Sequence, residues 1–208
     1  MVRRANSKTD LNRRRREKSI ILLALEGKNK TEKTYFGEFN NANKQYRVLF
    51  AKGNNTDPVN IVKDAISSYK KMELEKDAGD LAFVVCDTDF HKEDQIQEAR
   101  TLAEQNNITL LLSNPCFEIW LLLHFKYTTK QYASNLELLK ELEDIWPEYS
   151  KNIGSFDGIS DRRPLAIDNA KQLKQFHKLK NQKTYIEKCN PSTDVHILVE
   201  LLDDEEKK

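Results

Sequence analysis

The sequence predicts an α/β protein, with a mainly parallel sheet flanked by helices and a C-terminal helical extension. Three observations predict it. Four short apolar blocks of strand length recur within the first 113 residues. Amphipathic segments with helical spacing separate them. Beyond residue 114 only the helical spacing continues.

Taken in order, Ser19–Leu25 reads as a buried strand. Residues 31–42 read as a helix carrying Tyr35, Phe36 and Phe39, and residues 46–51 as a second strand. Asp57-Pro58 opens a helix that runs to about residue 76, with Val59, Val62, Ala65, Ile66 and Tyr69 at helical spacing. Residues 81–86 form a third strand, and its unbroken apolar run implies burial on both faces. Residues 92–106 form a helix with Ile96, Ala99, Leu102 and Ala103 inward, and residues 108–113 a fourth strand. Strands alternating with such helices make βαβ units. Asn114 then caps a helix over 114–125 with Pro115 in its first turn. Further helices follow over 135–146, 165–180 and 193–202. Residues 151–164, with Gly154, Gly158 and Pro164, read as an exposed loop.

Composition removes several functional classes. In 208 residues no apolar run approaches the roughly 18–20 needed to span a membrane. The run at 20–25 follows a basic segment but is cut short by Glu26, so it is not a secretion signal. Three cysteines, Cys86, Cys116 and Cys189, form no CxxC pair, which argues against a disulfide scaffold and for a reducing cytoplasm. The four histidines form no metal-binding motif, so no structural zinc site is expected.

The net charge of +1 conceals an asymmetry. Residues 1–18 hold eight basic side chains against two acidic ones, a balance of +6, while the other 190 hold 26 against 31, or −5. A basic N-terminal arm, 1–18, thus precedes a single mildly acidic domain, 19–208, of which 114–208 is mostly helical. Arg13, Arg14, Arg15 and Arg16 can meet nucleic-acid phosphates, or serve only as a solvated tail.

In open α/β sheets, ligands bind beyond the carboxyl ends of the strands. Glu26-Gly27 follows the first strand and Asp87-Thr88-Asp89 the third. Ser113-Asn114 follows the fourth and leads to Glu118. In extended backbone Asp87 and Asp89 share a face, and two carboxylates so close call for a neutralising cation. Mg²⁺ or Mn²⁺, with oxygen ligands, suits them, and Glu26 completes the set if the first and third strands are neighbours. Such a site can support phosphodiester chemistry, with Glu26 as general acid or base. The ordinary alternatives are turn aspartates and, for Glu118, an acidic residue in a helix's first turn. Lys28 and Lys30 can meet phosphates or be loop charges. The segment around them lacks P-loop spacing. Trp120, among Ile119, Leu121, Leu122 and Leu123, reads as core.

These residues resemble those of the RloB-like family of Toprim-related bacterial proteins. The motifs are Leu25-Glu26-Gly27 with Thr31-Glu32 and Tyr35-Phe36, then Val85-Cys86-Asp87-Thr88-Asp89. They continue through Ser113-Asn114-Pro115-Cys116-Phe117-Glu118-Ile119-Trp120-Leu121-Leu122-Leu123-His124-Phe125 to Asn190-Pro191-Ser192-Thr193. The resemblance implies a Toprim-like, Rossmann-like fold. It also implies a metal-dependent nuclease acting on RNA, tRNA among its candidate substrates, or on DNA, in anti-phage defence and abortive infection. Glu26 would be the general acid/base and Asp87 and Asp89 the Mg²⁺ ligands. Glu118 would be a further ligand or an orienting residue. An ATPase encoded nearby is the implied partner. Two other readings stand beside this one: a non-catalytic subunit that binds such an ATPase through its helical part, and a phosphoacceptor switch at Asp87.

Overall fold

The computed structural model describes residues 18–27, 30–88, 91–150, 154–180 and 189–204. Alternation along the strands organises them. Five strands, β1 (Ser19–Leu25), β2 (Tyr46–Phe50), β3 (Leu81–Asp87), β4 (Thr109–Asn114) and β5 (Ser192–Thr193), form one sheet in the order β2-β1-β3-β4-β5. The first four are parallel, and β5 runs antiparallel to β4. Three connections between the parallel strands carry helices: α1 (Lys30–Gly37), α2 (Pro58–Lys71) and α3 (Glu93–Gln105). The C-terminal part adds α4 (Glu118–Leu123), α5 (Asn135–Ile145), α6 (Asp157–Ser160), α7 (Arg163–Leu179) and α8 (Val195–Asp204).

Because successive strand side chains point to opposite faces, each buried strand feeds two cores. Ile20, Leu22, Ala24, Ala82, Val84, Cys86 and Leu112 meet Val59, Val62 and Ala65 of α2 and Ile96, Ala99 and Ala103 of α3. Ile21, Leu23, Phe83, Val85 and Leu111 meet Tyr35 and Phe36 of α1, Trp120 of α4 and the apolar sides of α5, α7 and α8. The sheet is therefore the middle layer of three, and the helical extension is the cover of one face.

Local signals explain the element ends. The Asp57 carboxylate caps α2 by accepting the Asn60 N–H at 3.0 Å, and Pro58 fits the first turn. Helix α2 stops earlier than the spacing implies, because Glu73 adopts φ +51°, outside helical space. A 3₁₀ turn at Lys76–Ala78 follows. Helix α1 likewise ends at Gly37 rather than near residue 42. Asn40 leaves the helix to serve as an edge partner for β2, its amide donating to the Val48 carbonyl at 3.0 Å and accepting the Val48 N–H at 2.9 Å. The buried Asp80 carboxylate accepts the N–H groups of Ile20 at 2.8 Å and Glu75 at 3.0 Å, which fixes the entry of β1.

Three expectations need correction. Asn114 does not cap a helix. It is the last residue of β4 and pairs with Ser192, so α4 begins only at Glu118. Strands do not stop at 114, since Ser192–Thr193 returns to the sheet, and the last helix starts at Val195. The peptide bonds Asn114-Pro115 and Asn190-Pro191 are both cis. The stretch expected to be an exposed loop contains α6, with Phe156 and Ile159 buried. The Phe156 ring lies 5.3 Å from that of Tyr35 and 6.0 Å from that of Trp146, so an aromatic anchor overrides the glycine signals. Among the described residues, no helix is long and apolar enough to cross a membrane.

Candidate active site at the carboxyl edge of the sheet

The register that pairs Leu25 with Val85 brings Glu26, the next residue, beside Cys86 and Asp87. β1 and β3 are neighbours, as a joint site requires. One oxygen of Glu26, Oε2, accepts the backbone N–H of Asp87 at 3.2 Å. The same oxygen lies 3.7 Å from the Cys86 thiol, which also reaches the Asp87 carbonyl at 3.2 Å. A turn immediately after Glu26 holds it there. Gly27 takes φ +54°, a conformation that favours glycine, and donates its N–H to the Asn55 carbonyl at 2.7 Å.

Asp87 is the last residue of β3 and half-buried. Strand alternation sends its side chain to the face opposite Cys86, toward α4. There Oδ1 accepts the Phe117 N–H at 2.9 Å, satisfying a backbone donor just ahead of that helix. The Thr88 N–H continues the ladder to the Ser113 carbonyl at 2.9 Å, and the Ser113 and Thr193 hydroxyls share a bond of 2.9 Å.

Glu118 opens α4 and is buried, with Oε1 accepting the Tyr149 hydroxyl at 3.0 Å. Cys116 lies within the field of both Glu118 and Asp87. Burial first, and then those two charges, push its thiol well up, so it stays protonated and is no nucleophile. The two carboxylates thus flank one buried thiol.

Lys30 starts α1 and is exposed. With Lys33, Leu25, Gly27, Phe50 and Asn54 it lines a cleft of about 260 Å³ beyond the ends of β1 and β2. The Lys33 ammonium sits 5.6 Å from the centre of the Phe50 ring. Asp89, Lys28 and the four arginines at 13–16 lie outside the described residues.

The sequence reading missed two residues here. Atoms of Glu26, Cys86 and His91 lie within 4.8 Å of one another, a set of oxygen, sulfur and nitrogen donors. Cys86 reads as one more apolar position of β3, and His91 falls in no ligand-spaced motif. The available signal was register: if Leu25 faces Val85, Glu26 faces Cys86.

The family model described as RloB-like protein matches residues 21–202. That span runs from β1 into α8 and includes every element of the sheet. No curated protein and no solved structure matches the chain.

Proposed function

Because the chain belongs to the RloB-like protein family, we propose that its carboxyl edge is the active site of a Toprim-type, metal-dependent nuclease that cuts RNA or DNA in anti-phage defence. The observation that carries this reading is the meeting of Glu26 and Asp87 at adjacent strand ends, joined through Glu26 Oε2 and the Asp87 N–H. Carboxylates at neighbouring parallel strand ends are hard oxygen donors, the kind Mg²⁺ and Mn²⁺ prefer, and Asp87 joins Glu26 on one ion once its side chain turns from the Phe117 N–H.

Glu26 and Asp87, with Asp89, would hold the ion, which supplies charge stabilisation at the phosphoryl oxygens when bound. The chain's own residues do the rest. Glu26, fixed by the turn at Gly27, accepts a proton from the attacking water or returns one to the leaving oxygen. Asp87 ties the edge of β3 to the start of α4 and keeps that proton path in register with the sheet. Lys30 and Lys33 face the incoming phosphates across the cleft, and the arginine arm adds affinity through charge. Glu118, held by Tyr149, acts as an orienting residue for the α4 side of the edge.

The test is cleavage of tRNA, single-stranded RNA and DNA by the wild type and by Asp87→Asn, with Mg²⁺ and Mn²⁺ titrated into both in the presence of a non-cleavable oligonucleotide. The expected result is metal-dependent cleavage that falls by about 100-fold or more in the variant, with weaker metal binding. Equal cleavage and equal binding in the two proteins would overturn the assignment. Retention of a partner ATPase with no cleavage of any substrate would favour an interaction subunit instead.

A further inference from the structure

We propose that Glu26, Cys86 and His91 form a second metal site at this edge, selective for a thiophilic divalent transition ion of the zinc class and distinct from the carboxylate pair that takes Mg²⁺. The proposal shares Glu26 with the hydrolysis reading and is otherwise independent of it.

Donor chemistry is the first argument. A thiolate and an imidazole are poor ligands for Mg²⁺, whereas zinc-class ions prefer both and accept a carboxylate beside them. Geometry is the second. Tetrahedral zinc holds sulfur, nitrogen and oxygen ligands about 3.3–3.6 Å apart, from its bond lengths of roughly 2.0–2.3 Å. The Cys86 sulfur already stands 3.7 Å from Glu26 Oε2, and all three donor atoms fall within 4.8 Å. Small side-chain rotations close that difference. The third argument is placement. Cys86 is fully buried in β3, while Glu26 and His91 are half-exposed, so the pair forms the entrance and the thiol the floor.

The three ligands come from the end of β1, from β3 and from the approach to α3. The His91 N–H donates to the Thr88 carbonyl at 3.3 Å, which returns the chain toward the strand end. Three protein ligands leave a fourth position for water or a phosphate oxygen, the arrangement of zinc sites that act on substrates rather than hold a fold together. Metal binding converts the Cys86 thiol to thiolate and releases its proton, with no change of oxidation state. It also recruits Glu26 Oε2 from the Asp87 N–H. A zinc-class ion therefore competes with the Mg²⁺-supported arrangement for one carboxylate.

The experiment is a titration of Co²⁺ into the full-length reduced protein, followed by absorption. A thiolate-to-cobalt charge-transfer band that saturates at one ion per chain and is displaced by Zn²⁺ is expected. Cys86→Ser should abolish the band, and His91→Gln should weaken Co²⁺ binding by about tenfold or more. Cys116→Ser and Cys189→Ser should retain the band. So should Asp87→Asn. His91 is half-exposed, so His91→Gln carries the test even if the buried Cys86→Ser protein fails to fold. No thiolate band in the wild type, or a band that depends on Cys116 or Cys189, or one indifferent to His91→Gln, would overturn the site. Mg²⁺-supported cleavage without a band would remove this proposal and leave the hydrolysis reading. A band without cleavage would do the reverse.

Discussion

The Tyr149 hydroxyl donates to Glu118 Oε1 at 3.0 Å, linking the segment after α5 to the first residue of α4. Both groups are buried. Burial, and then the Glu118 charge, push the Tyr149 phenol well above its ordinary range. The phenol therefore keeps the proton it donates as pH rises above neutrality. Tyr149→Phe should cost about 1–3 kcal/mol, because it leaves a buried carboxylate short of a donor. Urea unfolding at neutral pH measures it. A loss well under this range would mean that other donors satisfy Glu118.

His124 supplies a pH prediction. Its ring is buried, with Nδ1 3.0 Å from the Trp120 carbonyl, and burial lowers its pKa to about 4. The unfolded chain takes up this proton near pH 6.5 and the folded chain does not. Stability from this group is thus complete above pH 6.5 and is lost as pH falls toward 4, by an amount on the order of 3 kcal/mol. His196 is lowered as well, by burial and then by Lys174, and adds in the same direction. The urea midpoint should fall across this window, and less steeply in His124→Gln. Parallel pH profiles for the two proteins would contradict the assignment.

Gly53 is a remote support of Glu26. A Cβ added there would stand 2.0 Å from Asp64 Oδ2 and 2.5 Å from its Cγ. That carboxylate accepts the Asn55 side-chain amide at 2.8 Å, and the Asn55 carbonyl receives the Gly27 N–H. Gly53→Ala should displace Asp64, cost about 1 kcal/mol, and lower cleavage several-fold by loosening the turn after Glu26. Asp64→Ala in the same chain should remove the clash. The double variant should therefore be more stable than the sum of the single effects, and simple additivity would sink this link.

The arginine arm tests the charge argument. Deleting residues 1–16 should make the slope of log affinity against log salt shallower by about one unit for each phosphate that the arm neutralises, while turnover of bound substrate stays largely intact. Equal slopes for the full-length and truncated proteins would assign the arm no role in binding.

Much of this architecture was legible because burial on two faces leaves a strong trace. β1 and β3 are apolar at nearly every position, β4 holds three leucines in a row, and the helices between them carry regular stripes. What escaped was set by tertiary partners. β5 is two residues long, too short for any period, and exists because Asn114 and Ser113 of β4 have edges to pair. α6 follows Gly154 and itself contains Gly158, and only the packing of Phe156 on Tyr35 reveals it. The rule that strand ends gather ligands pointed to Glu26 and Asp87, which the sheet brings to adjacent strand ends. It passed over Cys86, whose side chain shares the core face of Val84 one residue before the strand ends. His91 carried no local signal, since its neighbours in space come from other strands.

The two faces of the sheet also differ in when they can close. Among the described residues, the core under α2 and α3 uses none beyond Leu112, whereas the opposite core needs Val195, Leu198, Val199 and Leu202 of α8. The Tyr46 hydroxyl donates to the Leu202 carbonyl at 2.9 Å, tying the edge of the sheet to this last helix. During synthesis at about 5–20 residues per second, roughly 5–20 s separate the two events. For that interval the emerging chain is a half-covered slab with one greasy side. The order of translation, more than the speed of collapse, sets how long that side stays bare.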